Sequence, residues 1–118
     1  MPCVDKPLAD LKHYQGISPR PTDFDEYWAR ALAELDQTAP NPEISPSSAI
    51  RARSVNVSDL YFTGVGGARV YAKLYQPKEI EKPGPAVLFF HGYSGNGGSW
   101  SDLKLALASQ GFTVAALD

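Results

Sequence analysis

The residues from Pro85 to Trp100 limit what this chain can fold into more than any others. Ala86 to Phe90 is a continuous apolar run with no alternation. Such a run suits a strand buried on both faces, as in a parallel sheet. The run breaks at once into His91-Gly92-Tyr93-Ser94-Gly95-Asn96-Gly97-Gly98-Ser99-Trp100. A helical pattern follows from Leu103 to Gln110, then Gly111, then a second apolar run from Phe112 to Leu117. The pattern predicts strand, turn, helix and strand, a βαβ unit whose first loop lies at the carboxyl end of a strand. Open α/β sheets bind their ligands at that end.

The chemistry of the loop follows from its residues. Gly92 and Gly95 permit sharp, left-handed backbone geometry. N–H groups fixed in such a turn can point into a cleft and stabilise an oxyanion as it develops during acyl transfer. In α/β-hydrolases one such donor comes from the loop after the third strand, where lipases and esterases carry an HGGG-type motif. Here only the His-Gly opening matches. The plain alternative is a glycine-rich loop that only turns a corner. A dinucleotide-binding turn needs G-x-G-x-x-G, and Gly95-Asn96-Gly97 is followed by Trp100 where the third glycine belongs. A phosphate-binding P-loop is excluded because no Gly-Lys-Ser/Thr follows. His91 reads as a packed histidine bonded to backbone rather than as a catalytic base.

The 118 residues suffice for one small domain. Apolar residues make up 43% and charged residues 20%, the balance of a soluble globular chain rather than a disordered one. A net charge of −2 gives no electrostatic case for nucleic acid or an anionic membrane. No apolar run approaches the length of a membrane span, and no basic segment with an apolar core opens the chain. Cys3 is the only cysteine, so no internal disulfide can form, and the expected location is cytoplasmic. Neither Cys3 nor His13 has a supporting motif; His13 is expected at the surface.

Residues 1–48 read as an amino-terminal segment: a proline-bearing arm, an amphipathic helix at about 23–36, and a Pro-rich linker. Leu8, Leu11 and Tyr14 can anchor a short turn in the arm. Thr22 is placed as the helix N-cap, with Asp25 completing an Asp variant of the capping box. Phe24, Tyr27, Trp28, Ala31, Leu32 and Leu35 form one apolar stripe, expected as a packing face. Ala39 to Ser48, with Pro40, Pro42 and Pro46, is expected to run along the surface. Residues 49–118 supply four strands. A hairpin is predicted over Arg53–Phe62 and Ala68–Gln76, turning at Gly64-Val65-Gly66-Gly67, with a bulge near Ser58-Asp59. The βαβ unit follows.

Three stretches of this sequence resemble the acetyl xylan esterase/cephalosporin C deacetylase family, carbohydrate esterase family seven, within the α/β-hydrolases. They are Pro21-Thr22-Asp23-Phe24-Asp25-Glu26-Tyr27-Trp28, the hairpin from Leu60 to Leu74, and Phe89-Phe90-His91-Gly92-Tyr93-Ser94-Gly95-Asn96. The tyrosine after His-Gly separates this family from the HGGG esterases. The resemblance spans nearly all of the chain and well under half of a family member.

That resemblance implies the amino-terminal portion of an α/β-hydrolase fold: leading helix, antiparallel hairpin, then a βαβ unit, with the sheet incomplete. It implies a Ser-His-Asp triad and no metal or cofactor, acting on acetyl esters of xylooligosaccharides and on cephalosporin C-type esters. It implies that the backbone N–H of Tyr93 is one oxyanion donor, with Gly92 and His91 as the supporting turn. It also implies a hexameric ring. No G-x-S-x-G nucleophile elbow occurs here, so the triad is expected beyond Asp118 and this piece alone is expected to be inactive. In the α/β-hydrolase order the four strands lie 1-2-4-3, which leaves Ala86–Phe90 at an edge with unpaired backbone groups. The 118-residue chain is therefore expected to be marginal without a partner or its remainder. Two other readings stay open: a different α/β-hydrolase chemistry, such as a peptidase or thioesterase, and a non-catalytic remnant or interaction module.

Overall fold

The computed structural model describes residues 5–80 and 82–118. Cys3 lies outside them. The chain divides into two units, residues 1–33 and 34–118. The first holds a single-turn helix, α1 (Leu8–Leu11), and most of α2 (Phe24–Asp36). The expected turn around Leu8 and Leu11 is thus present. α2 begins with Tyr27 N–H donating to Asp23 O at 2.8 Å. Its expected capping box does not close. Among the described residues Thr22 makes no capping bond, and Asp25 accepts from Arg20 instead. The Arg20 guanidinium also lies 4.6 Å over the Phe24 ring, and Tyr27 meets Trp28 edge-on at 5.6 Å. No residue of α2 is buried.

The second unit is a five-stranded sheet with one helix: β1 (Glu43–Pro46), β2 (Val55–Thr63), β3 (Arg69–Pro77), β4 (Ala86–Phe89), α3 (Ser101–Ser109) and β5 (Thr113–Leu117). The spatial order is β1-β2-β3-β5-β4. β4 and β5 are parallel, and every other neighbouring pair is antiparallel. The four expected strands therefore lie in the expected order, with β4 at an edge. β1 is an addition within the segment expected to be a linker. It pairs Ile44 with Leu60, is exposed throughout, and ends at Pro46. Prolines are tolerated on an edge strand because one side of its ladder has no partner.

β2 and β3 pair without a slip from Val55 opposite Pro77 to Thr63 opposite Arg69, so the expected bulge is absent. The alternation falters at Asp59 because that carboxylate shares the inner face with Val57 and Tyr61. It is paired there with Lys73 directly across the ladder, Nζ to Oδ1 2.8 Å. Tyr71 Oη also donates to Asp59 Oδ1, at 2.7 Å. These two donors hold the Asp59 carboxyl below its ordinary value of 3.8. At the hairpin's far end Arg69 stacks 4.5 Å over Tyr61 and forks onto Glu43 of β1 at 2.7 and 3.1 Å.

The core lies on the same face. Val55, Val57, Tyr75, Ala108 and Val114 are buried, with Val87, Phe89, Leu105, Leu107 and Phe112 packed against them. α3 covers this face of the sheet. On the opposite face of β4, Leu88 is 63% exposed. The expectation that β4 is buried on both faces therefore fails: only the Val87 and Phe89 side has a helix over it among the described residues. Among those residues no helix is long and apolar enough to cross a membrane.

Candidate active site

The chain leaves β4 at Phe90 and reaches α3 at Ser101 through the glycine-rich loop. The first half of that loop is a tight turn. Gly95 N–H donates to Gly92 O at 3.0 Å. The left-handed residue is Ser94, with φ 55°, rather than either glycine. Gly95 is required for another reason. A Cβ there would stand 3.0 Å from the His91 Cβ and 3.2 Å from Gly92 O. The His91 ring is exposed rather than packed. Its Nδ1 lies 2.9 Å from Gly92 O, so Nδ1 carries the proton and donates. The Ser94 hydroxyl donates to Tyr93 O at 2.8 Å. The Tyr93 side chain is fully exposed, and its backbone N–H meets no acceptor among the described residues.

The second half of the loop is fastened to the sheet and helix. Asn96 Oδ1 accepts from Gly98 N–H at 2.9 Å, and Asn96 O accepts from Ser99 N–H at 3.0 Å. Gly97 lies against the end of β5, where a Cβ would stand 2.9 Å from Ala116 O. Its N–H donates to Asp118 Oδ1 at 2.9 Å, and its carbonyl accepts from Lys104 Nζ at 2.8 Å. Lys104 also donates to Ser99 O. The Ser101 hydroxyl donates to Gly98 O at 2.6 Å and lies 3.4 Å from Tyr75 Oη, joining the loop to β3. Trp100 enters α3 in left-handed geometry, φ 56°, with its ring exposed.

Together these residues rim a concavity of about 220 Å³ between β4, the loop, Lys104 and the end of β5. Phe90, His91, Gly92, Tyr93 and Trp100 are among its lining. The structure thus brings His91, Gly92 and Tyr93 to one wall of one hollow. Such a wall can offer an unpaired N–H to an oxygen that gains negative charge. Among the described residues no serine hydroxyl is bonded to a histidine ring; Ser94 and His91 each bond to carbonyls of the turn itself.

Sequence reasoning passed over Lys104 and Asp118. Lys104 is 3% exposed, and burial pushes its ammonium below the usual lysine range. A signal for it was present. Lys104 stands four residues before Ala108, which is wholly buried, so the helical period puts a lysine on the inner face. Asp118 carried no such signal, because its role depends on where the loop folds back.

The family model for acetyl xylan esterase (AXE1) matches residues 1–118. The chain is similar to acetyl xylan esterase 1 from Thermoanaerobacterium sp. JW/SL YS485, at 49% identity and a TM-score of 0.85. That match covers 97% of this chain and 35% of the other. It is also similar to an acetyl xylan esterase from Paenibacillus sp. R4, at 30% identity and a TM-score of 0.79, covering 96% of this chain and 36% of the other. The chain therefore spans about a third of the length of these solved relatives.

Proposed function

Because this chain belongs to the acetyl xylan esterase family, we propose that it is the amino-terminal part of a serine carboxylesterase that removes acetyl groups through an acyl-enzyme. The observation that carries this reading is the Tyr93 N–H, which has no acceptor in the described structure and stands on the wall of a hollow at the carboxyl end of β4. In the proposed mechanism that N–H receives the oxyanion of the tetrahedral intermediate, and His91 and Gly92 shape the turn that presents it. The nucleophile, base and acid come from residues beyond Asp118. No metal or cofactor enters the chemistry. The substrates are acetylated xylooligosaccharides and cephalosporin C-type esters, and the complete enzyme assembles as a hexamer.

The test is p-nitrophenyl acetate turnover, compared between the 118-residue chain and the full-length protein, with a serine-reactive phosphonate and intact-mass analysis. The expected result is saturable turnover and a single phosphonate adduct in the full-length protein, on a serine beyond Asp118, and neither in the 118-residue chain. Turnover by the short chain with an adduct on Ser94 would overturn this placement of the nucleophile. A full-length protein without esterase activity would overturn the reading as a whole.

A further inference from the structure

Lys104 is an expensive residue for its position. It lies in the first turn of α3, where the helix dipole disfavours a cation, and it is almost wholly buried, which disfavours any charge. Among the described residues it has no carboxylate partner. An apolar side chain would fill the same space without either cost. The ammonium instead donates to Gly97 O and Ser99 O and lies 5.6 Å over the ring of Phe89, the last residue of β4. One cation thus touches the strand that leads into the loop, the loop itself and the helix that follows it.

The bonding of the loop makes this contact consequential. Within His91 to Gly95 the hydrogen bonds are internal to the turn: Gly95 to Gly92, His91 to Gly92, and Ser94 to Tyr93. They give the turn its shape and leave its orientation on the sheet to the residues that follow. That orientation is set from Gly97 onward. Gly97 lies between opposite charges, its N–H on the Asp118 carboxylate and its C=O on the Lys104 ammonium. Both bonds are charge-assisted, one on each of the two peptide groups that flank the Gly97 Cα.

We propose that Lys104 is a positioning residue for the ester-cleaving site: its buried ammonium clamps the second half of the loop and so fixes where the Tyr93 N–H points. The inference rests on the esterase reading above for its catalytic consequence, and on the loop's bonding for its structural one. Lys104 also lines the same hollow as Tyr93, so its charge adds positive potential near where an oxyanion would form.

The test compares Lys104→Met and Lys104→Arg in the full-length protein, with Val114→Ala as a core variant that weakens the fold without touching the loop. Turnover of p-nitrophenyl acetate is measured well below each variant's melting temperature. Amide exchange is followed over residues 91–99 and over β2 and β3. Lys104→Met is expected to lower kcat by about tenfold to a hundredfold, the scale of a misplaced catalytic group, with KM changed by less than about threefold. Exchange over 91–99 should rise while β2 and β3 keep their protection. Lys104→Arg should retain more kcat than Lys104→Met, and Val114→Ala should stay within about threefold of wild type. Unchanged exchange over 91–99 in Lys104→Met would overturn the clamp. An equal loss of kcat in Val114→Ala would reduce Lys104 to a structural residue and overturn its positioning role. Should wild type show no esterase activity, the esterase reading falls, and the exchange comparison alone decides whether Lys104 holds the turn.

Discussion

Gly97→Ala offers a sharp test of how the loop is held. Gly97 has no positive φ, so its backbone suits alanine, and the objection comes from one contact. The added Cβ would lie 2.9 Å from Ala116 O and 3.3 Å from Leu117 O. Both are backbone atoms of β5, which is paired on both sides and cannot yield easily. The loop must therefore withdraw, by about half an ångström, to restore an ordinary contact. Withdrawal stretches the Asp118 and Lys104 bonds to the same residue, now 2.9 and 2.8 Å. Bonds to charged partners contribute about 1.5–3 kcal/mol each, and a partial loss of both sets the expected destabilisation at about 1–3 kcal/mol. The control is Gly92→Ala, whose Cβ meets nothing within 4 Å. It should change stability by less than about 0.5 kcal/mol. Urea unfolding of the two variants in the full-length protein separates them. If Gly97→Ala proved as stable as Gly92→Ala, the packing of the loop on β5 would not be what constrains Gly97.

Other consequences follow from the hairpin, the turn and the sheet edge. Asp59→Asn removes the one carboxylate bonded to the 8%-exposed Lys73 among the described residues, leaving its ammonium only neutral oxygens to donate to, and should cost about 2–4 kcal/mol. Because the folded pKa of Asp59 is depressed, its contribution is present above about pH 4 and lost as pH falls through the folded value. Asp59→Asn should accordingly flatten the acid limb of a plot of melting temperature against pH, and an unchanged limb would remove Asp59 as its source. Tyr93→Phe in the full-length protein should cost little, since the proposed donor is backbone. A loss beyond about a hundredfold in kcat would assign the phenol a role of its own, being comparable to losing a whole donor. Leu88→Lys, on the exposed face of the edge strand, should weaken self-association of the 118-residue chain by about tenfold or more in sedimentation experiments. A wild-type chain that sediments as a monomer and melts cooperatively would remove the premise.

The parts of this fold that could be read from sequence are those whose residues carry their own period. The β2–β3 hairpin and the βαβ order follow from runs and punctuation that need no partner to interpret, whereas the place of Ala86–Phe90 at an edge follows from the strand order that the resemblance implies. β1 could not be read in this way. Four exposed residues that follow one proline and end on another look like a linker, and become a strand only because β2 presents an unpaired side. Asp59 misled in the opposite direction: a carboxylate on an inner face reads as a break in the strand until the register sets Lys73 across from it. Likewise, the glycine pattern marked the turn correctly but misassigned the strain. Ser94 and Trp100 take the left-handed geometry, while Gly95 and Gly97 are needed for close approach. Whether a glycine serves φ or clearance depends on what packs against it, and that is tertiary information.

The same distinction separates what the turn is from what holds it. His91, Gly92 and Tyr93 are adjacent in sequence, so the donor and its local geometry travel together in one short stretch. Its aim, however, is set by Lys104, in the first turn of α3, and by Asp118, which the chain reaches only after building β5. A turn of this kind transplanted without them would keep its internal bonds and lose its bearing on the sheet. The order of the chain makes this economical: the strand that launches the loop, the helix that clamps it and the strand that receives it are one βαβ unit. The residues proposed to position the donor therefore all lie within Ala86 to Asp118, although the groups that would form and break the ester bond are placed outside it.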